Sequence, residues 1–98
     1  MADAGTSQPP GGDTRPRLSR GARLQNSPAH GGDVLLAPER VFKADAIAVA
    51  ILKRCTGEAT LDQIVDELVV AYSAPRERVL TDVTALLSSL AEKKMLEW

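Results

Sequence analysis

The chain has 98 residues, with 12 Lys plus Arg against 13 Asp plus Glu and a formal charge of −1. Domains usually run to about 100–150 residues, so one small domain is expected and a two-domain enzyme is excluded. Near-neutral charge argues against a nucleic-acid binder, whose footprint is basic. One cysteine rules out an intramolecular disulfide or a Cys-rich zinc cage and suits a reducing compartment.

No apolar run approaches the ~18 residues of a membrane span, and the start lacks the charged and apolar segments of a signal peptide. A cytoplasmic protein with no membrane partner is therefore expected. Aromatic residues make up only 3%, so the core must be built from Val, Leu, Ile and Ala.

Residues 1–33 hold six of the seven glycines and four of the six prolines, but only Met1, Leu18 and Leu24 among the large apolar residues. The other 25 lie in residues 34–98, where the core must form. Residues 1–14 read as a disordered tail or linker, because ordering them would go uncompensated by burial, and residues 15–98 read as the domain. Arg15–Gln25 reads as an irregular edge strand with a bulge at Gly21, and Asn26–Asp33 as a loop. Val34–Ala37 is apolar on both alternating faces, as in a strand held inside a sheet. Pro38-Glu39 makes a turn into Arg40–Ala44, which completes a three-stranded antiparallel meander with the Val34 strand central.

Three helices follow. Asp45 is the N-cap expected for Ala46–Cys55, and Gly57 stands where a left-handed C-terminal residue belongs. Thr60 and Gln63 have the spacing of a capping box opening Leu61–Tyr72, whose Leu61, Ile64, Val65, Leu68 and Tyr72 recur at helical period. Pro75 suits the first turn of a last helix reaching about Lys93, with Val79, Leu80, Val83, Leu86, Leu87 and Leu90 as its stripe. The fold class is α+β, winged helix-turn-helix-like: a three-stranded antiparallel sheet packed on a three-helix bundle.

Catalysis and metal binding find little support. His30 is the sole histidine, read as an exposed loop residue. Cys55 reads as a small apolar filler with no base nearby. Asp62, Asp66 and Glu67, then Glu77 and Asp82, read as solvated helix faces. No Gly-rich phosphate loop accompanies them, so no catalytic, cofactor or metal site is expected.

Surfaces remain. The winged-helix outline allows a DNA-binding reading, with Arg76 and Arg78 at the start of the last helix. Residues 34–98 carry 8 basic and 10 acidic residues, however, so the counterion-release term that drives DNA affinity would be small. The other surface is the open edge of Arg40–Ala44, which an extended peptide can join as a further strand. A proline at Phe42 is expected to impair such binding more than Phe42→Ala, by removing an edge donor.

The residues Arg20-Gly21-Ala22-Arg23-Leu24-Gln25, Val34-Leu35-Leu36-Ala37-Pro38-Glu39, Ala48-Val49-Ala50-Ile51-Leu52 and Cys55-Thr56-Gly57, followed by Ile64, Leu68 and Asp82-Val83, resemble the family of pyrroloquinoline quinone biosynthesis protein D (PqqD). The match runs from about Pro16 to the C-terminus, and its specificity lies in the order and spacing of the segments. The resemblance implies the same fold and a peptide chaperone, not an enzyme. Such a chaperone resembles the recognition elements of ribosomally made, modified peptides. It binds the precursor peptide PqqA and presents it to the radical S-adenosylmethionine enzyme PqqE, with the precursor lying between the third strand and third helix. Carried onto this chain, the peptide-binding residues are Val41, Phe42, Lys43 and Ala44 on the strand and Arg76, Val79, Leu80 and Val83 on the helix. A monomer is expected over a dimer. The chain departs from the family pattern at Ala37 and Ala44, where a larger residue is common, at Arg40, where glycine is, and at Asp45, where asparagine caps the helix.

Overall fold

The computed structural model describes residues 11–98. Strands β1 (Arg17–Leu18), β2 (Arg23–Ser27), β3 (Gly32–Ala37) and β4 (Arg40–Lys43) come first. Helices α1 (Ala46–Leu52), α2 (Leu61–Tyr72) and α3 (Arg76–Glu92) follow, and β5 (Leu96–Glu97) closes the chain. The strands form a three-stranded antiparallel sheet of order β2-β3-β4 and a separate two-stranded ladder of β1 with β5. Together with the three helices this is the expected α+β, winged-helix-like fold.

Central β3 has the burial its sequence implies: Val34 and Leu35 project to opposite faces and both are fully buried. Leu35 joins the helical core, and a 3₁₀ turn at Pro28–His30 packs against β3. That turn ends on two successive glycines of positive φ, Gly31 at 84° and Gly32 at 147°, a reversal that residues with a Cβ adopt only under strain. Strands therefore occupy both ends of the segment expected as a loop, Asn26–Asp33, and only its middle turns. The side chain of His30, expected to be exposed, lies outside the described residues.

The expected edge strand Arg15–Gln25 is instead two strands in two sheets. Gly21, at φ 87°, turns the chain between them and leaves no bulge. Arg17 and Leu18 pair with Glu97 and Leu96, and the Arg17 guanidinium meets the Glu97 carboxylate at 2.7 Å. Short-range pattern cannot reveal this, because the partner lies 80 positions away.

Each helix is set by local chemistry. The Asp45 carboxylate accepts the Ala48 N–H at 2.8 Å, capping α1. This helix ends at Leu52, three residues before the expected Cys55. The chain then turns through Gly57, at φ 87°, whose N–H donates to the Pro16 carbonyl.

At α2 the capping box is complete: Gln63 N–H donates to Thr60 Oγ1 at 3.2 Å, and Thr60 N–H to Gln63 Oε1 at 2.8 Å. The two remaining donors of its first turn find carbonyls upstream in the chain. Leu61 N–H donates to Thr14 at 2.7 Å and Asp62 N–H to Gly12 at 3.0 Å. Such donors have no partner inside a helix, so the strip Gly12–Thr14 completes the cap. The domain boundary expected at residue 15 falls just beyond this strip, and the first ten residues of the expected tail lie outside the described residues.

Ser73, in left-handed conformation at φ 51°, ends α2, and Pro75 opens α3. Val79, Val83, Leu87 and Leu90 of α3 pack with Ile51, Leu61, Ile64, Val65, Met95 and Leu96 in one core.

Candidate functional site

The site is built where β4, α1 and α3 converge. Among the described residues β4 pairs with β3 alone, so its other edge is open. The register sets Leu35 opposite Phe42 and Ala37 opposite Arg40, and the Ala44 N–H donates to the Asp33 carbonyl at 3.0 Å. Hydrogen-bonded pairs alternate along an antiparallel ladder, so Arg40, Phe42 and Ala44 turn their backbone groups toward β3. Val41 and Lys43 turn theirs outward. The open donors thus belong to Val41 and Lys43, which corrects the assignment of an edge donor to Phe42. Phe42 contributes its side chain instead.

Beside this strand lies a groove of two joined hollows. One is lined by Phe42 and Lys43 from the strand, by Asp45, Ile47, Ala48 and Ile51 around the start of α1, and by Asp82 and Leu86 of α3. The second, of about 220 Å³, continues between α1, the end of α2 and the start of α3. Its walls are Ile47, Ile51, Leu68, Tyr72, Ala74, Val79 and Val83, with Arg78 and Asp82 alongside. Ile47, Ile51 and Asp82 line both hollows and join them. An apolar cavity of about 150 Å³ holds a benzene molecule, so the second hollow has room for one large apolar side chain. Ile47 and Tyr72 are each 45% exposed, so the groove carries apolar surface open to solvent, the kind that marks an interaction site.

The sequence-expected residues divide here. Phe42, Lys43, Val79 and Val83 line the groove. Val41 offers its backbone, with its side chain 51% exposed. Ala44 is buried in the core. Arg76 and Leu80 do not line either hollow. Arg76 turns to α2, where its guanidinium meets the carboxylates of Asp62 and Asp66. The groove side of α3 is the row Arg78, Asp82 and Leu86, spaced four residues apart as neighbours on one helix face are. Ile47, Tyr72, Arg78, Asp82 and Leu86 were missed as site residues. The one available signal was the pair Arg78 and Asp82 flanking the apolar stripe to which Leu86 was assigned, and a helix has two such flanks. Ala37, one of the departures noted above, lies away from the groove, beside Arg40 and Lys93.

Chemically the groove offers backbone donors and acceptors, apolar walls and a few charges. Among the described residues no group of three or more His, Cys, Asp or Glu could hold a metal ion, and no helix is long and apolar enough to cross a membrane. Cys55 is buried away from the groove, its thiol donating to the Ile51 carbonyl, and burial pushes its pKa up to about 12. A protonated, enclosed thiol is no nucleophile.

The described chain is thus an α+β winged-helix-like domain with an open strand edge beside a helix-walled apolar groove, the two features that strand addition of a peptide uses in general. Residues 33–96 match the family described as "Coenzyme PQQ synthesis protein D (PqqD)", and the chain belongs to that family. It is 46% identical over 83 residues to a protein of Bradyrhizobium diazoefficiens named "PqqA binding protein", an alignment covering 85% of this chain and 81% of that one. Among solved structures it resembles the PqqD part of Methylobacterium extorquens PqqCD, described as a functional, stand-alone recognition element for ribosomally synthesised, post-translationally modified peptides. That match has a TM-score of 0.79 at 40% identity and covers 95% of this chain and 98% of the other. PqqD from Xanthomonas campestris matches with a TM-score of 0.58 at 38% identity, over 88% and 96% of the two chains.

Proposed function

We propose that this chain is a non-catalytic peptide chaperone of coenzyme PQQ synthesis, which binds the precursor peptide PqqA and presents it to the radical S-adenosylmethionine enzyme PqqE. The observation that carries this reading is the juxtaposition of an open strand edge with a helix-walled apolar groove, in a family whose relatives are named for PqqA binding. The peptide extends the sheet along β4 through the outward backbone groups of Val41 and Lys43. Each main-chain bond so made contributes a net ~0.5–1.5 kcal/mol. One apolar side chain of the peptide fills the hollow between α1 and α3. The chain works as a monomer in the cytoplasm, its β4 edge left for the peptide instead of a second copy.

The DNA-binding reading loses ground on charge. Arg76 is committed to Asp62 and Asp66, which among the described residues leaves Arg78, flanked by Glu77 and Asp82, as the unpaired arginine at the start of α3. Duplex affinity needs several free cations on one surface.

Titrating the ¹⁵N-labelled chain with PqqA tests the binding mode. Amide shifts are expected to cluster on Val41, Lys43, Ile47, Arg78 and Asp82, and addition of PqqE is expected to give a ternary complex. Shifts confined to other surfaces would refute the mode, and the absence of any shift would refute the function.

A further inference from the structure

We infer that Asp82 is the charge selector of the groove, reading a basic side chain of the bound peptide next to the apolar side chain that enters the hollow between α1 and α3. The inference rests on the peptide-binding reading above and deepens it. Asp82 lines both hollows and so stands at their junction, where any chain following the groove must pass.

Its carboxylate is uncommitted. Among the described residues it makes no ion pair or side-chain hydrogen bond, whereas Asp62 and Asp66 are held by Arg76, Glu67 by Arg54 and Glu97 by Arg17. The other acid of the lining, Asp45, spends its carboxylate on capping α1. Arg78 stands one turn away on the same row without closing a salt bridge to Asp82; a basic residue N-terminal to the acid is the weaker order for such a pair.

Among the described residues the groove lining therefore holds two carboxylates, Asp45 tied to the start of α1 and Asp82 without a partner at the junction, with Lys43 beside the strand and Arg78 beside the second hollow. A basic peptide residue at the centre meets attraction and an acidic one there meets repulsion. Asp82 is exposed in the free domain, so both effects are of the modest size of surface charge pairs and weaken with added salt. The ligand class is an extended peptide with a large apolar side chain and a Lys or Arg close to it.

Isothermal titration decides this, using PqqA of Bradyrhizobium diazoefficiens as probe together with variants in which each of its Lys and Arg is changed singly to Glu. Asp82 is exposed and caps nothing, so Asp82→Asn and Asp82→Lys should fold, which the amide spectrum checks. Asp82→Asn is expected to weaken binding a few-fold and Asp82→Lys roughly tenfold. One charge-reversed peptide should bind Asp82→Lys more tightly than it binds the wild-type chain. Glu92→Lys, the same charge change outside the groove, should leave affinity within about twofold. If Asp82→Lys binds the unmodified peptide as the wild type does, or if no charge-reversed peptide restores its affinity, the selector role is overturned while peptide binding stands. If the wild-type chain binds no PqqA, both fall together.

Discussion

Cys55 and the arginines of α3 show how differently single residues can be read. The sequence marks Cys55 as apolar filler, and the structure encloses it beside Ile51 and Leu52. Burial disfavours its thiolate and pushes the thiol pKa from the ordinary 9.0 up to about 12. The sign follows directly. Above pH 9 the unfolded chain sheds a proton that the folded chain keeps, so this contribution to stability is full below pH 9 and lost as pH climbs toward 12. Cys55→Ala should cost about 1 kcal/mol at neutral pH. Urea-unfolding midpoints of the two proteins should lie closer together at pH 10 than at pH 7; an equal gap at both would show that the thiol is not desolvated. Arg76 was less legible. Periodicity places both Arg76 and Arg78 at the exposed start of α3, and only the position of α2, with Asp62 and Asp66 presented to Arg76, decides which arginine is free for the groove.

Among the elements, those with local causes were legible. Thr60 and Gln63 announce α2, Asp45 announces α1, and Pro38-Glu39 announces the β3–β4 turn, since each acts within a few residues of itself. The split of Arg15–Gln25 was not, because it depends on a partner strand at the far end of the chain. The ladder phase of β4 was likewise set by register with β3, and it changes which proline substitution tests strand addition. Val41→Pro removes an outward donor and leaves the β3 bonds intact, so PqqA affinity should fall while the unfolding midpoint moves little. Phe42→Pro removes a donor aimed at β3 and should lower stability by about 1–3 kcal/mol whether or not peptide is present. Equal loss of affinity and equal loss of stability in the two variants would contradict the register. Urea unfolding and peptide titration on the same samples measure both.

For the whole molecule, a winged-helix outline is combined with a formal charge of −1 and an open β4 edge among the described residues. The ladder of β1 and β5 bears on how this molecule comes apart. Among the described residues its partners lie 80 positions apart, and closing so long a loop costs more conformational entropy than the tight β3–β4 hairpin or the helices. It is therefore the piece expected to form last on folding and to open first by local fluctuation. Neither strand lines the peptide groove, whose walls come from β4 and the helices. In hydrogen exchange, the amides of Ser19 and Glu97, which the register places in the ladder bonds, should exchange faster than that of Leu35, and PqqA should slow Val41 and Lys43 without slowing that ladder. Uniform protection by the peptide would mean that the two regions open as one unit. With separate openings, the domain can breathe at its joined ends while its grip on a passing peptide holds.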